Sequence, residues 1–509
     1  MIYTSAKRRE ISNVLGSIAK LGLRPGLKLL DDLCSVTLSR LAHFSGRDLG
    51  STAWALAKIG YSPSPSWISP FSLQCKLCLG GMDSQALSNL LWAYARWDVA
   101  LPHDLLLGIT SALGPDRVLL GTCGPQALSN MLWGLARQRH RPDEEWMTAY
   151  WAAVYEQTVV AADGSGVSAG YNVVMDKNKR FMSASELSRV FFAAGKIKAR
   201  LPVGDLMDHL VTYLADHIEE LGFAEAAHAL WGLSHTDLRD PGHHTREDVL
   251  RGTLLPRWYV HTKNLLDSFV SSSSENQLSM LDGQLLGNAM YAIYRIESSG
   301  AGDKSQIGGA DVNIWKHNYV RFSWLQSAVT ACTALMEARQ MDAQALAVTG
   351  LCISKLHSSP SSIGDEWRAA FVAAVLLRLS SMNSAEVANV VCALSRLRHP
   401  PSLSLIIALT SYLQSEMVRF RPHELATTLL ALAHLSRLLG RLELESKCAD
   451  EPRQGWGSVS RGIWAALLSD ATGWLRSLPL GAVTERDTRV IKRASQVVGW
   501  QLPSQSPTS

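Results

Sequence analysis

No stretch of this 509-residue chain approaches the eighteen or more consecutive apolar residues of a membrane-spanning helix, so no membrane partner is expected. The opening, Met1-Ile2-Tyr3-Thr4-Ser5-Ala6-Lys7-Arg8-Arg9-Glu10, lacks the apolar core of a secretory signal, and no transit peptide is visible. Charge of one sign is also scarce: 49 Lys+Arg against 45 Asp+Glu leave +4, too small an excess for a protein that coats nucleic acid indiscriminately. Any basic surface must therefore come from placement. Eight cysteines, at 34, 75, 78, 123, 332, 352, 392 and 448, show no disulfide-scaffold spacing, and free buried thiols in a reducing compartment are expected. Apolar material is not lacking. With 47% hydrophobic and 18% charged residues, disorder is excluded as the main state, and the length suits two to four domains or one long repeat array.

Catalytic patterns are equally thin. Gly166-Val167-Ser168-Ala169-Gly170 matches the elbow of serine hydrolases, and Gly164-Ser165-Gly166 resembles part of a dinucleotide loop. Both need a strand before and a helix after, whereas here they sit in a Ser/Gly-rich insertion with no parallel-sheet pattern around it. Cys75 and Cys78 have no second pair nearby, so buried thiols are expected rather than zinc. His243 and His244, with Asp240, Glu247 and Asp248, read as a solvated polar loop rather than a metal site. The chain is thus expected to be no enzyme, with no catalytic residue, metal, cofactor or small-molecule substrate.

What the sequence does contain is a repeat. Ser88-Asn89-Leu90-Leu91-Trp92-Ala93-Tyr94-Ala95-Arg96 recurs as Ser129-Asn130-Met131-Leu132-Trp133-Gly134-Leu135-Ala136-Arg137, and Thr52-Ala53-Trp54-Ala55-Leu56-Ala57-Lys58 falls in the same frame. With the Trp as anchor, weaker copies align at Gly16, Phe192, Trp231, Tyr291, Leu351, Cys392 and Leu430. The base period is 38 residues, lengthened in three intervals by about twenty. Nine residues before the anchor, Asp83, Ser183, Asp282, Asp342 and Asn383 are side chains that accept hydrogen bonds from the free N–H groups of a helix start. Eight to ten residues after it, Pro25, Pro63, Pro102, Pro142, Pro202, Pro360 and Pro400 end this first helix, helix A. A second amphipathic segment follows as helix B, for example 143–160, 204–219 or 402–418. Two-helix units of this size bury their apolar faces only against neighbours, which predicts an all-α solenoid of about ten repeats.

The array is expected over 1–440, with surface insertions near 161–180, 236–250 and 298–312, a loop over 441–458, and a C-terminal helical cap and disordered tail over 459–509. The first unit begins almost at Met1 with no leader or cap before it, which predicts a start missing from this sequence.

At 100° per residue, positions −7, −3 and +4 relative to the anchor share one side of helix A, within about 40°, and −5, −2, −1, +2 and +5 share the other. The second set is apolar, as in Leu87, Leu90, Leu91, Tyr94 and Trp97, and is the expected core stripe. The first set is polar. Position −7 holds Gln85, Gln126, Gln284 and Gln344; position −3 holds Asn13, Asn89, Asn130, Asn288 and Asn389, with Arg189 and His228 in the same place. Position +4 holds Lys20, Lys58, Arg96, Arg137, Lys196, His235, Arg295, Lys355, Arg396 and His434. Lys and Arg neutralise phosphates and amides pair with base edges, so this ladder suits one RNA strand. A cation in the last turn also complements the helix dipole, and a recurring Asn can bridge backbones, so a purely structural role stays open. The anchor Trp residues, flanked by small residues such as Ser88, Ala93 and Ala95, are expected to mark tight helix packing rather than exposed stacking platforms.

Leu-Trp-Ala-Tyr-Ala-Arg at 91–96, Ala-Trp-Ala-Leu-Ala-Lys at 53–58, and the proline-led segments Arg141-Pro142-Asp143-Glu144-Glu145-Trp146 and Pro63-Ser64-Pro65-Ser66-Trp67 resemble the octotricopeptide repeat family. This is a 38-residue helical-repeat class found chiefly in green algae and related to FAST-kinase-like organelle RNA-binding proteins. The resemblance covers most of residues 10–440, is strong in the second to fourth units, and weakens where Trp gives way to Phe, Tyr, Leu or Cys. It implies sequence-selective binding of single-stranded RNA in an organelle, chloroplast ahead of mitochondrion, serving transcript stability, processing, splicing or translation, with protein partners in a ribonucleoprotein complex. It also implies a role as an added component of an organelle ribosome that clamps ribosomal RNA. No RAP-type C-terminal domain is recognised, so the nuclease-like activity suspected in some relatives is not implied here. The alternative of another class is a structural scaffold that binds proteins through the solenoid surface.

Overall fold

The computed structural model describes residues 8–114, 118–159, 181–202, 204–236, 249–271, 278–299, 312–356, 363–397, 403–446, 456–478 and 482–498. The segments carrying Gly164–Gly170, His243 and His244 lie outside the described residues, as do most of the expected insertions. The chain divides into two compact units, 1–261 and 262–509.

In the first unit, α1 (Arg8–Lys20), α3 (Gly46–Ile59), α5 (Ser84–Trp97), α8 (Pro125–Arg137), α10 (Ala184–Lys196) and α12 (Phe223–His235) are the A helices, each packed on the next. Between them run the B helices α2 (Leu27–Ser39), α4 (Pro65–Leu77), α6 (His103–Ala112), α9 (Glu144–Thr158) and α11 (Asp205–Asp216), with a single turn, α7 (Val118–Gly121), before α8. Helix α13 (Leu255–Ser271) follows a π-helical turn at Leu250–Leu254 and straddles the division between the units. The second unit repeats the plan. Its A helices are α14 (Gly283–Ser299), α16 (Ala343–Leu356), α18 (Ser384–Leu397), α20 (Pro422–Ser446) and α22 (Glu485–Val497), and its B helices α15 (Val312–Glu337), α17 (Asp365–Arg378), α19 (Leu403–Glu416) and α21 (Trp456–Ser477). The protein is an all-α solenoid, and no strand occurs among the described residues.

Each A helix starts for a local reason. Asp83 accepts from the Ala86 N–H at 2.8 Å, Asp342 from Ala345 at 2.7 Å, and Asn383 from Glu386 at 3.0 Å. Ser183 and Glu186 close a reciprocal capping box, as do Ser45 and Asp48, satisfying donors that the helix geometry leaves free. One residue earlier, a position the sequence reading passed over carries a staple: Phe44, Met82, Cys123, Met182, Leu221, Leu281, Met341, Met382 and Phe420 stand ten residues before their anchors, and all are buried. An apolar side chain there fixes the angle at which the chain enters the helix.

The A layer is packed backbone to backbone. A Cβ on Gly195 would lie 2.7 Å from the Gly232 Cα, and one on Gly232 would lie 2.1 Å from the Phe191 carbonyl oxygen. Gly134 approaches Leu91 and Gly50 approaches Ala86 in the same way. The small residues flanking the anchors therefore do mark tight packing. The core stripe is as expected, with Leu87, Leu90, Leu91 and Tyr94 at 0% exposure. In the B layer, Trp67, Trp146 and Trp367, each in the first turn of its helix, are buried and stack on the aromatic one turn later.

Two boundaries differ from expectation. The loop expected over 441–458 is narrower, because α20 runs on to Ser446 and α21 begins at Trp456. The stretch Arg437-Leu438-Leu439-Gly440-Arg441-Leu442-Glu443-Leu444-Glu445-Ser446 contains no proline and is rich in good helix formers. The terminal helix α22 is more than a polar cap. It opens with the Thr484–Asp487 capping box and packs on α20 as A helices do, making it an eleventh copy.

Candidate functional site

The geometry of helix A decides what its outer stripe presents. All ten anchor residues, Gly16, Trp54, Trp92, Trp133, Phe192, Trp231, Tyr291, Leu351, Cys392 and Leu430, are half-buried, although their neighbours at −2 and −1 are buried almost throughout. The anchor Trp residues thus take part in the tight packing expected of them, while part of each ring stays open to solvent. The physical reason lies in helix periodicity: the anchor sits at 0°, within about 60° of positions −7, −3 and +4, and so belongs to their face.

Along that face the cations come forward. Lys20, Lys58, Arg96, Arg137, Lys196, Arg295, Arg396 and His434 are exposed, whereas Lys355 and His235 are half-buried. Several lean over aromatic rings: Arg96 lies 5.8 Å from the Trp92 centroid, Lys196 4.6 Å from Trp231 and 5.2 Å from Phe192, and Lys355 4.2 Å from Tyr294. Such contacts hold a cation at a ring without neutralising it. Arg137 differs, because its guanidinium donates to Asp98 at 2.8 Å across neighbouring A helices. His235 lies flat on Trp231 with ring centroids 3.8 Å apart. Partial desolvation, then the Arg493 and Arg437 charges, hold His434 below the usual imidazole range although its side chain is exposed. Burial raises the Cys392 thiol, while the Arg396 and Lys355 charges pull it back, so these two cations share one neighbourhood.

The amides divide. Gln85, Gln126 and Gln344 are exposed, and Gln284 donates to Gln344 at 3.0 Å across two A helices. Asn13 is exposed and Asn288 and Asn389 are half-buried, but Asn89 and Asn130 are only 8% and 6% exposed. The side chains of these two are therefore buried rather than on the open stripe where they were expected, and Asn89 accepts from Gln85 at 3.0 Å. Arg189 is exposed, and His228 packs on Phe192 with centroids 4.3 Å apart.

The indole N–H groups differ. Trp67, Trp97, Trp151, Trp258 and Trp324 each donate theirs to a protein acceptor at 2.9–3.1 Å, while those of Trp146 and Trp367 are buried without one. Among the described residues the indoles of Trp54, Trp92, Trp133 and Trp231 donate to no protein group. Elsewhere, Cys75 is fully buried with its thiol raised by desolvation, and no group of three or more metal-ligating side chains occurs among the described residues.

The fold defines the chain as a helical-repeat solenoid whose A-helix stripe combines cations, amides and rings. No protein-family model matches the chain, and no curated protein matches it. Among solved structures, a chain of the structure described as a homology model of the full-length AP-3 complex in an intermediate open conformation is similar at 12% identity, over 97% of this chain and 85% of that one, with a TM-score of 0.27.

Proposed function

We propose that this chain is a non-catalytic RNA-binding helical-repeat protein of an organelle, holding single-stranded RNA along the A-helix face and acting in the stability, processing, splicing or translation of one transcript. The observation that carries the reading is the register of charge: eight of the ten +4 residues are exposed on the same face of the A helices, and the other two, His235 and Lys355, are half-buried. A single strand offers one phosphate per nucleotide, and cations spaced along it release counterions as they bind. The exposed Gln85, Gln126 and Gln344 supply groups able to pair with base edges beside that line. The organellar part rests on the resemblance to octotricopeptide repeats. Tagging the protein in its native cell, crosslinking, and sequencing the copurified RNA tests it. One sharp footprint of about ten nucleotides on a single transcript supports the reading, at about one base per repeat. Ribosomal RNA throughout would make the chain an organelle ribosome component, and no enrichment over an untagged control would remove the RNA role.

A separate observation favours the second reading, a scaffold for proteins. The B helices expose aliphatic side chains, Leu73 at 60% and Leu77 at 72% on α4, Leu107 on α6, Leu377 on α17 and Ile407 on α19. Solvated apolar residues of this kind suit protein contacts, and the B layer is open to a partner whether or not the A layer holds RNA.

A further inference from the structure

We infer that Trp54, Trp92 and Trp133, continued in register by Phe192 and Trp231, form a base-stacking ladder, so that the first unit accepts RNA only where its bases are unpaired. The inference rests on the RNA-binding reading and assigns residues to it that the charge register does not. Four observations lead to it. These five aromatics occupy one register position on five successive A helices, α3, α5, α8, α10 and α12. Each is half-buried where its neighbours at −2 and −1 are covered, so one part of the ring is held by the protein and the rest meets solvent. The four indole N–H groups among them make no protein hydrogen bond, whereas five other Trp residues donate within the protein and Trp146 and Trp367 bury theirs without a partner. Each ring also has a basic residue one helical turn away at +4, with Arg96 and Lys196 already leaning over rings of the series.

A ring that served packing alone would be covered, as those of Trp146 and Trp367 are. A ring fixed at its base and open above is instead a platform. Every base has a π-face, so stacking of this kind tolerates sequence, while the neighbouring cation meets the phosphate of the same nucleotide. A duplex keeps its bases stacked on each other and offers none to the rings. At the end of the series the ring faces already have partners within the protein, because Phe192 and Trp231 have centroids 5.2 Å apart, with His228 against Phe192 and His235 flat on Trp231, so the open platforms are Trp54, Trp92 and Trp133.

The test uses the full chain with labelled oligo(U) of about twenty nucleotides, and the same strand annealed to oligo(A), followed by fluorescence anisotropy across a salt series. Three variants are compared: Trp54→Leu/Trp92→Leu/Trp133→Leu, the same positions changed to Phe, and Lys58→Gln/Arg96→Gln/Arg137→Gln, each checked by circular dichroism. The expected result is preference of the wild type for the unpaired strand, loss of affinity on the order of ten-fold for each ring removed, an unchanged salt slope in the Leu variant, and substantial rescue by Phe. The cation variant instead flattens the slope. If the Leu variant binds like wild type while the cation variant is weakened, stacking is overturned and the RNA reading stands. Equal binding of the duplex also overturns stacking. If the wild type binds neither probe, sequence-tolerant stacking is overturned, while the RNA reading is decided by the crosslinking footprint. Should the Leu variant misfold, the single change Trp92→Leu, together with quenching of indole fluorescence by oligo(U) in the wild type, decides the same question.

Discussion

The two units carry the same cation and different anchors. From α3 to α12 the anchor is Trp, Trp, Trp, Phe and Trp; from α14 to α20 it is Tyr291, Leu351, Cys392 and Leu430, yet position +4 stays basic as Arg295, Lys355, Arg396 and His434. Lys355 finds a ring elsewhere, on Tyr294, and Arg396 stands exposed four residues from a cysteine. Charge and ring therefore vary independently along the repeat. A cation whose task was to cover an aromatic would have disappeared with it, so the two side chains serve separate purposes. In α22 the contrast goes further, because Arg493 stands nine residues after the capping Thr484, where the other A helices have their anchor.

The comparison breaks most readily at the glycines. Gly232→Ala sets a methyl 2.1 Å from the Phe191 carbonyl oxygen, which backbone cannot yield, and is expected to cost about 3 kcal/mol, read from the urea midpoint at constant m-value. In the second unit Gly287→Ala meets the Thr349 hydroxyl at 3.2 Å, a side chain that can turn, and should change stability by less than about 1 kcal/mol. Equal effects would show that the A layers of the two units are packed alike.

Charge removal comes next. Arg295→Gln/Lys355→Gln/Arg396→Gln should reduce the slope of log affinity against log salt by about 2, as expected for three lost phosphate contacts to a single strand. The same triple in the first unit, Lys58→Gln/Arg96→Gln/Arg137→Gln, should do slightly less, because Asp98 already engages Arg137. A slope that changes only for the first unit would confine binding to it. A smaller effect is expected from adding a ring where one is missing: Leu351→Trp should tighten binding to oligo(U) several-fold with the salt slope intact, since it adds stacking without charge.

The smallest effect is one of pH. His434 binds its proton less readily in the folded chain than in the unfolded one, because partial desolvation and the Arg493 and Arg437 charges oppose it. Its contribution therefore lowers stability as pH falls through the unfolded value of about 6.5, and it stays neutral at pH 7. A bound phosphate would favour the charged form, so RNA affinity should rise modestly on acidification. His434→Gln should remove that increment, and the imidazole proton resonances should titrate below the usual range; a normal titration would show that neither desolvation nor the arginines hold it down.

Much of this fold was legible from spacing alone. The caps Asp83, Ser183, Asp342 and Asn383 start helices where their side-chain chemistry requires, and the spans expected for helix B at 143–160, 204–219 and 402–418 enclose α9, α11 and α19. The exposure of the +4 cations was legible too, because a 100° step places them opposite Leu87 and Leu91. Less legible was the anchor. A large aromatic beside Ala and Ser looks like core by composition, and only its angle shared with the polar positions argues otherwise. The covering of Asn89 and Asn130 depends on how closely the next helix approaches, a distance set by Gly134 and Leu91 from two different repeats. The eleventh copy had a readable sign in Thr484 and Asp487, the same reciprocal cap as Ser183 and Glu186, but without an aromatic anchor it fell outside the frame.

The glycine contacts between A helices also set a length. Helices packed through ordinary side chains stand about 8–10 Å apart, and bare backbone contact as between Gly195 and Gly232 brings them to the short end of that range. The rungs of the cation series in the first unit therefore have a pitch fixed by residues that touch no ligand. On the RNA-binding reading, a strand laid along them would have to match that pitch, so a methyl group added in the floor would act as a ruler cut to the wrong scale, shifting every later rung while leaving each one chemically whole.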